Sequence, residues 1–171
     1  MNNNKGVTLT SLVITIIVLI IISAITVNIS DGVIQEAKLQ NLRTNMLLIQ
    51  AKAKTYAEEV TFETANLDST KEEDATKISE IKVSKFKGTA LENCDTSVQT
   101  AAENAGVTLT TDFYYLSPEN LSEMGINIKV PEGSYYLVKY NFEDTEVVFT
   151  KGFQYKDVTY YKLSEINQIE I

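Results

Sequence analysis

Apolar residues follow three different patterns along this chain. From Val7 to Ile29 nearly every residue is apolar and none is ionisable. Between residues 31 and 62, apolar residues recur at intervals of three and four. After residue 113, short apolar runs are rich in Tyr and Phe. In this order, the three patterns predict an all-apolar helix, an amphipathic helix and a set of β-strands.

The first apolar run is long enough for a membrane-spanning helix. At a rise of about 1.5 Å per residue, residues 7–29 would extend roughly 35 Å, and a bilayer core is about 30 Å thick. A secretory signal usually has a shorter apolar region followed by a small-x-small cleavage site, and neither is found here. Lys5 precedes the run and Asp31 is the first charged residue after it, which favours a cytoplasmic N-terminus and an extracytoplasmic body.

The second pattern predicts that the helix continues through residues 31–62 with one apolar face. This face consists of Leu42, Met46, Ile49, Ala53, Tyr56 and Val60. A partner-binding coiled coil would need sustained heptads, which are not found. We therefore expect this part of the helix to pack on its own domain.

Residues 63–171 are expected to form an α+β head. Residues 61–77 are polar and predict a solvated loop. Its acidic run Glu72-Glu73-Asp74 lacks the alternate spacing and the Gly of a calcium loop, so no metal is expected. Residues 78–86 predict a strand. Residues 96–105 predict a short helix ending at Gly106, and Ser117-Pro118 starts another that ends at Gly125.

The last third of the chain predicts a small antiparallel sheet. Strands are expected at residues 134–142, 146–150 and 157–163, with a short hairpin connection at 143–145. The Tyr pairs at 135/136 and 160/161 would place one ring on each face. We therefore expect one face of the sheet to pack against the long helix and the other to be exposed to solvent.

Composition argues against an enzyme and against a nucleic-acid partner. The chain has 15 Lys and Arg against 23 Asp and Glu, a net charge of −8, which is unfavourable for binding phosphates. It contains no His, the usual general base and metal ligand. Cys94 is the single cysteine and lies beside Asp95, so we expect an unreactive thiol and no disulfide. No cofactor motif is found, and we predict no enzymatic activity.

The first thirty residues resemble the class III signal of type IV pilins and type II secretion pseudopilins. The resemblance rests on Lys5-Gly6 followed directly by the apolar run that begins Val7-Thr8-Leu9-Thr10. More loosely, the whole chain resembles pilin-like proteins of Gram-positive, clostridia-like bacteria. Two residues depart from the family pattern: Val7 replaces the usual Phe, and Ser11 stands where most members carry Glu.

The resemblance implies a pilin-like fold and a processing site. Residues 1–6 would be a leader, cut by a prepilin peptidase between Gly6 and Val7, with methylation of the new N-terminus. Residues 7–30 would be a helix that lies first in the membrane and later in a fibre core. The implied partners are membrane lipid, an assembly platform and other pilin-like subunits, among which this chain would be either a bulk or a minor subunit.

An alternative remains at this stage. The chain could instead be a single-pass membrane protein whose outer domain binds or senses a ligand and never polymerises. An intact leader in the mature protein would favour this alternative, and cleavage after Gly6 would favour the filament subunit.

Overall fold

The computed structural model describes residues 9–109 and 112–170. Between residues 9 and 31 it describes the side chains of Leu12, Thr15, Ile16, Ile17 and Leu19 only. The chain divides into two compact units, Met1–Gln40 and Asn41–Ile171.

The N-terminal helix α1 extends from Leu9 to Thr64. Within the second unit, one face of α1 is buried, and it consists of Leu42, Met46, Ile49, Ala53, Ala57 and Val60. The amphipathic helix predicted for residues 31–62 is therefore confirmed, with two changes. Ala57 is buried and Tyr56 only partly so, and α1 ends two residues later than expected.

Among the described residues, four shorter α-helices follow, and two of them begin and end at the predicted signals. They are α2 (Glu72–Lys85), α3 (Thr96–Asn104), α4 (Pro118–Glu123) and α5 (Leu163–Ile166). Ser117 caps α4 by accepting a hydrogen bond from the Asn120 backbone N–H. The Asn120 side chain accepts one from the Ser117 N–H in return, which completes a capping box. Gly106 and Gly125 have φ of 72° and 75°, as a C-terminal cap requires.

In the described part of the chain, five antiparallel strands form one sheet in chain order. They are β1 (Thr89–Ala90), β2 (Phe113–Leu116), β3 (Tyr136–Lys139), β4 (Glu146–Tyr155) and β5 (Val158–Lys162). The predicted antiparallel sheet is confirmed, although β3 is shorter and β4 longer than expected. The connection between them covers residues 140–145. A two-residue turn with positive φ at Lys156 and Asp157 joins β4 to β5.

Both faces of the sheet are covered at its centre, so the prediction of one solvent-exposed face is wrong. Tyr136 lies buried on one face, where burial raises the pKa of its hydroxyl and the Asn45 side chain of α1 partly offsets this increase. On the opposite face, Leu137 and its cross-strand partner Val148 are fully buried. They belong to a core cluster with residues of α3 and the segments beside it: Leu91, Val98, Ala102, Ala105 and Val107. The head is thus a three-layer arrangement of helix, sheet and helix.

The segment around residue 80 is helical, so the strand predicted at residues 78–86 is wrong. Helix α2 starts with Glu72, Glu73 and Asp74, which were expected to lie in a loop, and its last turn contains Lys82 and Lys85. Acidic residues at the start and basic residues at the end stabilise a helix through its dipole. The loop predicted for residues 61–77 is therefore limited to residues 65–71.

No helix within the described residues is both long and apolar enough to cross a membrane. The predicted span, residues 7–30, lies for the most part outside the described side chains. The span stays a prediction from the sequence.

Candidate functional site: the N-terminal helix and its exposed faces

The predicted processing site is not part of the described structure. Lys5, Gly6 and Val7 lie outside the described residues. Ser11 lies within helix α1, but its side chain is likewise not described. The leader, the cleavage position and the departure at Ser11 therefore remain predictions from the sequence.

The described part of the first unit presents apolar side chains to solvent. Leu12, Ile16 and Ile17 are 54%, 48% and 51% exposed. Val33 and Ile34, further along the same unit, are exposed to a similar extent. Exposure of apolar surface to water is unfavourable by about 25 cal/mol per Å² relative to its burial. In this unit, helix α1 therefore carries surface suited to an apolar environment.

In the second unit, α1 is joined to the head by polar contacts as well as by its apolar face. The Gln50 side chain donates to the backbone oxygen of Thr145 at 2.8 Å, in the loop before β4. The guanidinium of Arg43 donates from Nη2 to the carbonyls of Ile166 at 2.8 Å and Ile169 at 3.1 Å. Ile166 is the last residue of α5 and Ile169 lies three residues beyond it, so Arg43 ties the C-terminal segment to α1.

The outward side of this part of α1 also carries exposed apolar residues. Leu47 and Leu48 are 42% and 50% exposed, although Met46 and Ile49 on either side of them are fully buried. Phe62, near the end of the helix, is 84% exposed. Single exposed apolar residues are common on protein surfaces, so these three alone indicate no partner.

Helices α1 and α2 are linked by a two-carboxylate ion pair. The Lys85 ammonium lies 3.3 Å from Glu59 and 2.7 Å from Glu63. Hydrogen bonds from the ammonium to these carboxylates raise the pKa of Lys85. No residue of α2 is fully buried, and this partly exposed ion pair is one contact that links α2 to α1.

A cluster of three rings lies beside the end of α2, and the sequence did not indicate it. The rings of Phe86 and Tyr140 stack with centroids 4.3 Å apart and an angle of 6° between their planes. Tyr114 meets both rings edge to face, at 5.7 and 5.3 Å. Burial raises the pKa of the Tyr140 hydroxyl well above its usual range. The cluster joins residues far apart in sequence, which a local pattern does not reveal.

The thiol of Cys94 lies in surroundings that disfavour reactivity. Burial raises the pKa of the Cys94 thiol, and the nearby Asp95 carboxylate raises it further. Both effects disfavour the reactive thiolate. The Sγ atom of Cys94 donates weakly to the carbonyl of Ala90 at 3.4 Å. In the part of the chain that the structure describes, no three His, Cys, Asp or Glu residues are grouped as a metal site requires.

Comparison of the chain with known protein families, with curated proteins and with solved structures gives no match.

Proposed function

We propose that the chain is a structural subunit of a type IV pilus or of a type II secretion-like pseudopilus, assembled through its N-terminal helix. The observation that carries this proposal is the run from Val7 to Ile29, which has no ionisable residue and directly follows Lys5-Gly6. The exposed side chains of Leu12, Ile16 and Ile17 support it, since they lie in that run and are not buried by the chain itself.

In this proposal the same apolar surface is used twice. The helix lies first in the cell membrane, with its N-terminus in the cytoplasm and the head outside. When the assembly platform extracts the subunit, the surface leaves lipid and packs against the helices of neighbouring subunits. Because both environments are apolar, extraction exchanges one set of favourable contacts for another. The head needs no disulfide for this role, because its core is built from apolar residues on both faces of the sheet.

Processing is the first test. We expect mature protein to begin at Val7, and Gly6→Val to leave the full-length precursor in the membrane, as measured by mass spectrometry of the N-terminus. Gly32→Val is the matched control, because a side chain added at Gly32 meets no atom within 4 Å. Wild-type protein that keeps Met1 and forms no fibre would overturn the proposal. That result would favour the membrane-anchored binding or sensing protein.

Ser11 allows the kind of subunit to be tested. After cleavage, the amine of Val7 is positive, and burying an unpaired charge in an apolar core costs about 2.5–3.5 kcal/mol or more. Ser11 offers a hydrogen-bond acceptor but no negative charge, and no acidic residue precedes Asp31. One explanation is that the amine stays at the lipid boundary or bonds to carbonyls and hydroxyls. The other is that the chain is a minor, tip subunit whose amine is not buried beneath another.

Quantification of the chain in purified fibres separates these explanations. A few copies per fibre support the tip subunit, and a dominant band contradicts it. Ser11→Glu should raise incorporation if charge pairing limits assembly, whereas equal incorporation would show that packing succeeds without the pair. Ser11→Ala is the control for loss of the hydroxyl alone.

A further inference from the structure

A groove of about 330 Å³ lies between helix α1, helix α2 and the loop that follows β3. We call it the aromatic groove. Its lining residues are Ala57, Val60, Thr61, Lys82, Phe86, Tyr140, Asn141, Phe142 and Glu143. The groove is open to solvent along one side and lies wholly within the second unit.

The aromatic wall of the groove is held in place by its own contacts. Tyr140 stacks on Phe86, and its hydroxyl donates to the Lys87 carbonyl at 2.8 Å. The same hydroxyl accepts from the Lys87 N–H at 3.2 Å. The ring of Phe142, which is 44% exposed, has the Lys54 ammonium 5.5 Å from its centroid. Because these contacts already restrict the rings, little further conformational entropy would be lost when a ligand binds.

The polar residues of the groove supply both donors and acceptors. The side-chain oxygen of Asn141 accepts from the N–H groups of Glu143 at 2.9 Å and Asp144 at 3.1 Å, which fixes the orientation of its amide. The Thr61 hydroxyl donates to the Ala57 carbonyl at 2.8 Å, so its oxygen can accept. Lys82 and Glu143 contribute opposite charges, so the lining has no excess of either sign.

These properties limit the class of ligand. An anionic ligand would need excess positive charge, which the lining does not have. A lipid chain would need an enclosed apolar cavity, but the groove is open and contains four polar or charged residues. An extended peptide would add to an unpaired strand edge, and β3 is paired with β2 and β4 on both sides.

We propose that the aromatic groove binds a short neutral oligosaccharide. The apolar face of a sugar ring would pack against Phe142 and the edges of the stacked rings. Its hydroxyls, which both donate and accept, would bond to Asn141, Glu143 and Thr61. This inference does not depend on the filament function, and a membrane-anchored protein with the same head would bind the same sugar.

The test uses the full chain in micelles of lauryldimethylamine oxide, because a maltoside detergent would compete for the groove. Cellotriose, maltotriose and tri-N-acetylchitotriose are titrated while amide shifts are followed by NMR. With at least one of them, we expect shifts at residues 82–87 and 141–143, weakened about tenfold by Phe142→Ala. Phe62→Ala is the matched control, since Phe62 is also an exposed Phe but lies outside the groove lining.

A second variant tests the polar half of the site. Glu143→Gln keeps the backbone N–H that bonds to Asn141 and removes the carboxylate acceptor, so it should also weaken sugar binding. The proposal is overturned if none of the three sugars shifts the groove amides at millimolar concentration. It is equally overturned if Phe142→Ala binds as tightly as Phe62→Ala.

Discussion

Helix α1 contains two segments with apolar residues that differ in how those residues are covered. In the second unit, apolar residues on one side of the helix are buried, as Met46 and Ile49 show with no exposed surface. In the first unit, Leu12, Ile16 and Ile17 are each about half exposed, whereas Leu39 near the end of this unit is buried. Burial by the chain itself therefore accounts for the apolar stripe of the second unit but not for Leu12, Ile16 and Ile17.

The difference shows that hydrophobicity alone does not distinguish a core from an interface. The stripe in the second unit has period three to four and faces a sheet that supplies matching apolar residues. The run from Val7 to Ile29 has apolar residues on every side, and such a helix gains most when lipid or other helices surround it. This contrast can be tested by changing residues in each of the two segments.

Removal of residues 1–30 should have the largest effect, a change in the solubility of the protein. The full chain should require detergent, whereas residues 31–171 should stay in solution as a folded monomer. The physical reason is that the buried core lies downstream of Gly32. Size-exclusion chromatography and far-UV circular dichroism measure this. An unfolded product would contradict it and would mean that the first thirty residues contribute to the fold of the head.

Adjacent residues in α1 should differ sharply in their contribution to stability. Ile49 has no exposed surface, and Leu48 beside it is 50% exposed. We expect Ile49→Ala to lower the free energy of unfolding by about 2–5 kcal/mol. Leu48→Ala should change it by no more than about 0.5 kcal/mol. Urea unfolding of residues 31–171 measures both, and equal losses would show that the exposed face is also packed.

Replacement of Arg43 should lower the free energy of unfolding by less than Ile49→Ala and by more than Leu48→Ala. Arg43→Leu removes the donors to the carbonyls of Ile166 and Ile169 and should cost about 1–3 kcal/mol. The loss should be local, so hydrogen exchange at the amides of Asn167 and Ile169 should accelerate more than exchange in β3. Lys52→Leu is the control, because Lys52 is an exposed cation on the same helix. Equal exchange in the two variants would refute the link.

The stability of the head should depend on pH in the alkaline range. Residues 7–29 lack ionisable side chains and cannot contribute to this dependence. Burial raises the pKa of Tyr140, so the folded state keeps a proton that the unfolded state loses above about pH 10. Stability should therefore fall as the pH rises above that value. Tyr114, Tyr115 and Tyr136 have pKa values raised in the same direction and add to the fall.

Tyr140→Phe separates the contribution of this residue. At pH 7 the variant should be less stable by about 1 kcal/mol, because the hydrogen bonds to Lys87 are lost. Above pH 10 the difference should shrink, since the variant has one fewer buried hydroxyl to ionise on unfolding. Urea unfolding from pH 7 to pH 11 measures both curves. Parallel curves across that range would contradict the assignment to Tyr140.

Local signals in the sequence predicted the elements whose ends are set by one or two residues. Ser117 with Pro118 and the glycines at 106 and 125 placed α3 and α4 correctly, since capping depends only on nearby backbone groups. The apolar stripe of α1 was also predictable, because its period is that of a helix. These features need no knowledge of the rest of the chain.

The errors have identifiable causes. Ile81 and Val83 are two residues apart, a spacing that is also found in strands, whereas the acidic start and basic end of α2 are typical of a helix. The paired tyrosines suggested alternation, but the run from Tyr136 to Val138 is apolar throughout and is buried on both faces. The aromatic groove could not be predicted, because it brings together residues near positions 60, 85 and 141.

The order of the strands has a consequence for how the head is made. Each strand from β2 to β5 pairs with the strand that precedes it in the chain. A chain that emerges with its N-terminus first can therefore add each strand to an edge that already exists, without waiting for a later segment to be inserted between two earlier ones. Contacts between successive segments also favour rapid folding. Folding of this head can therefore proceed progressively from its first strand to its last. The contacts of Arg43 with the C-terminal segment would form at the end of this process.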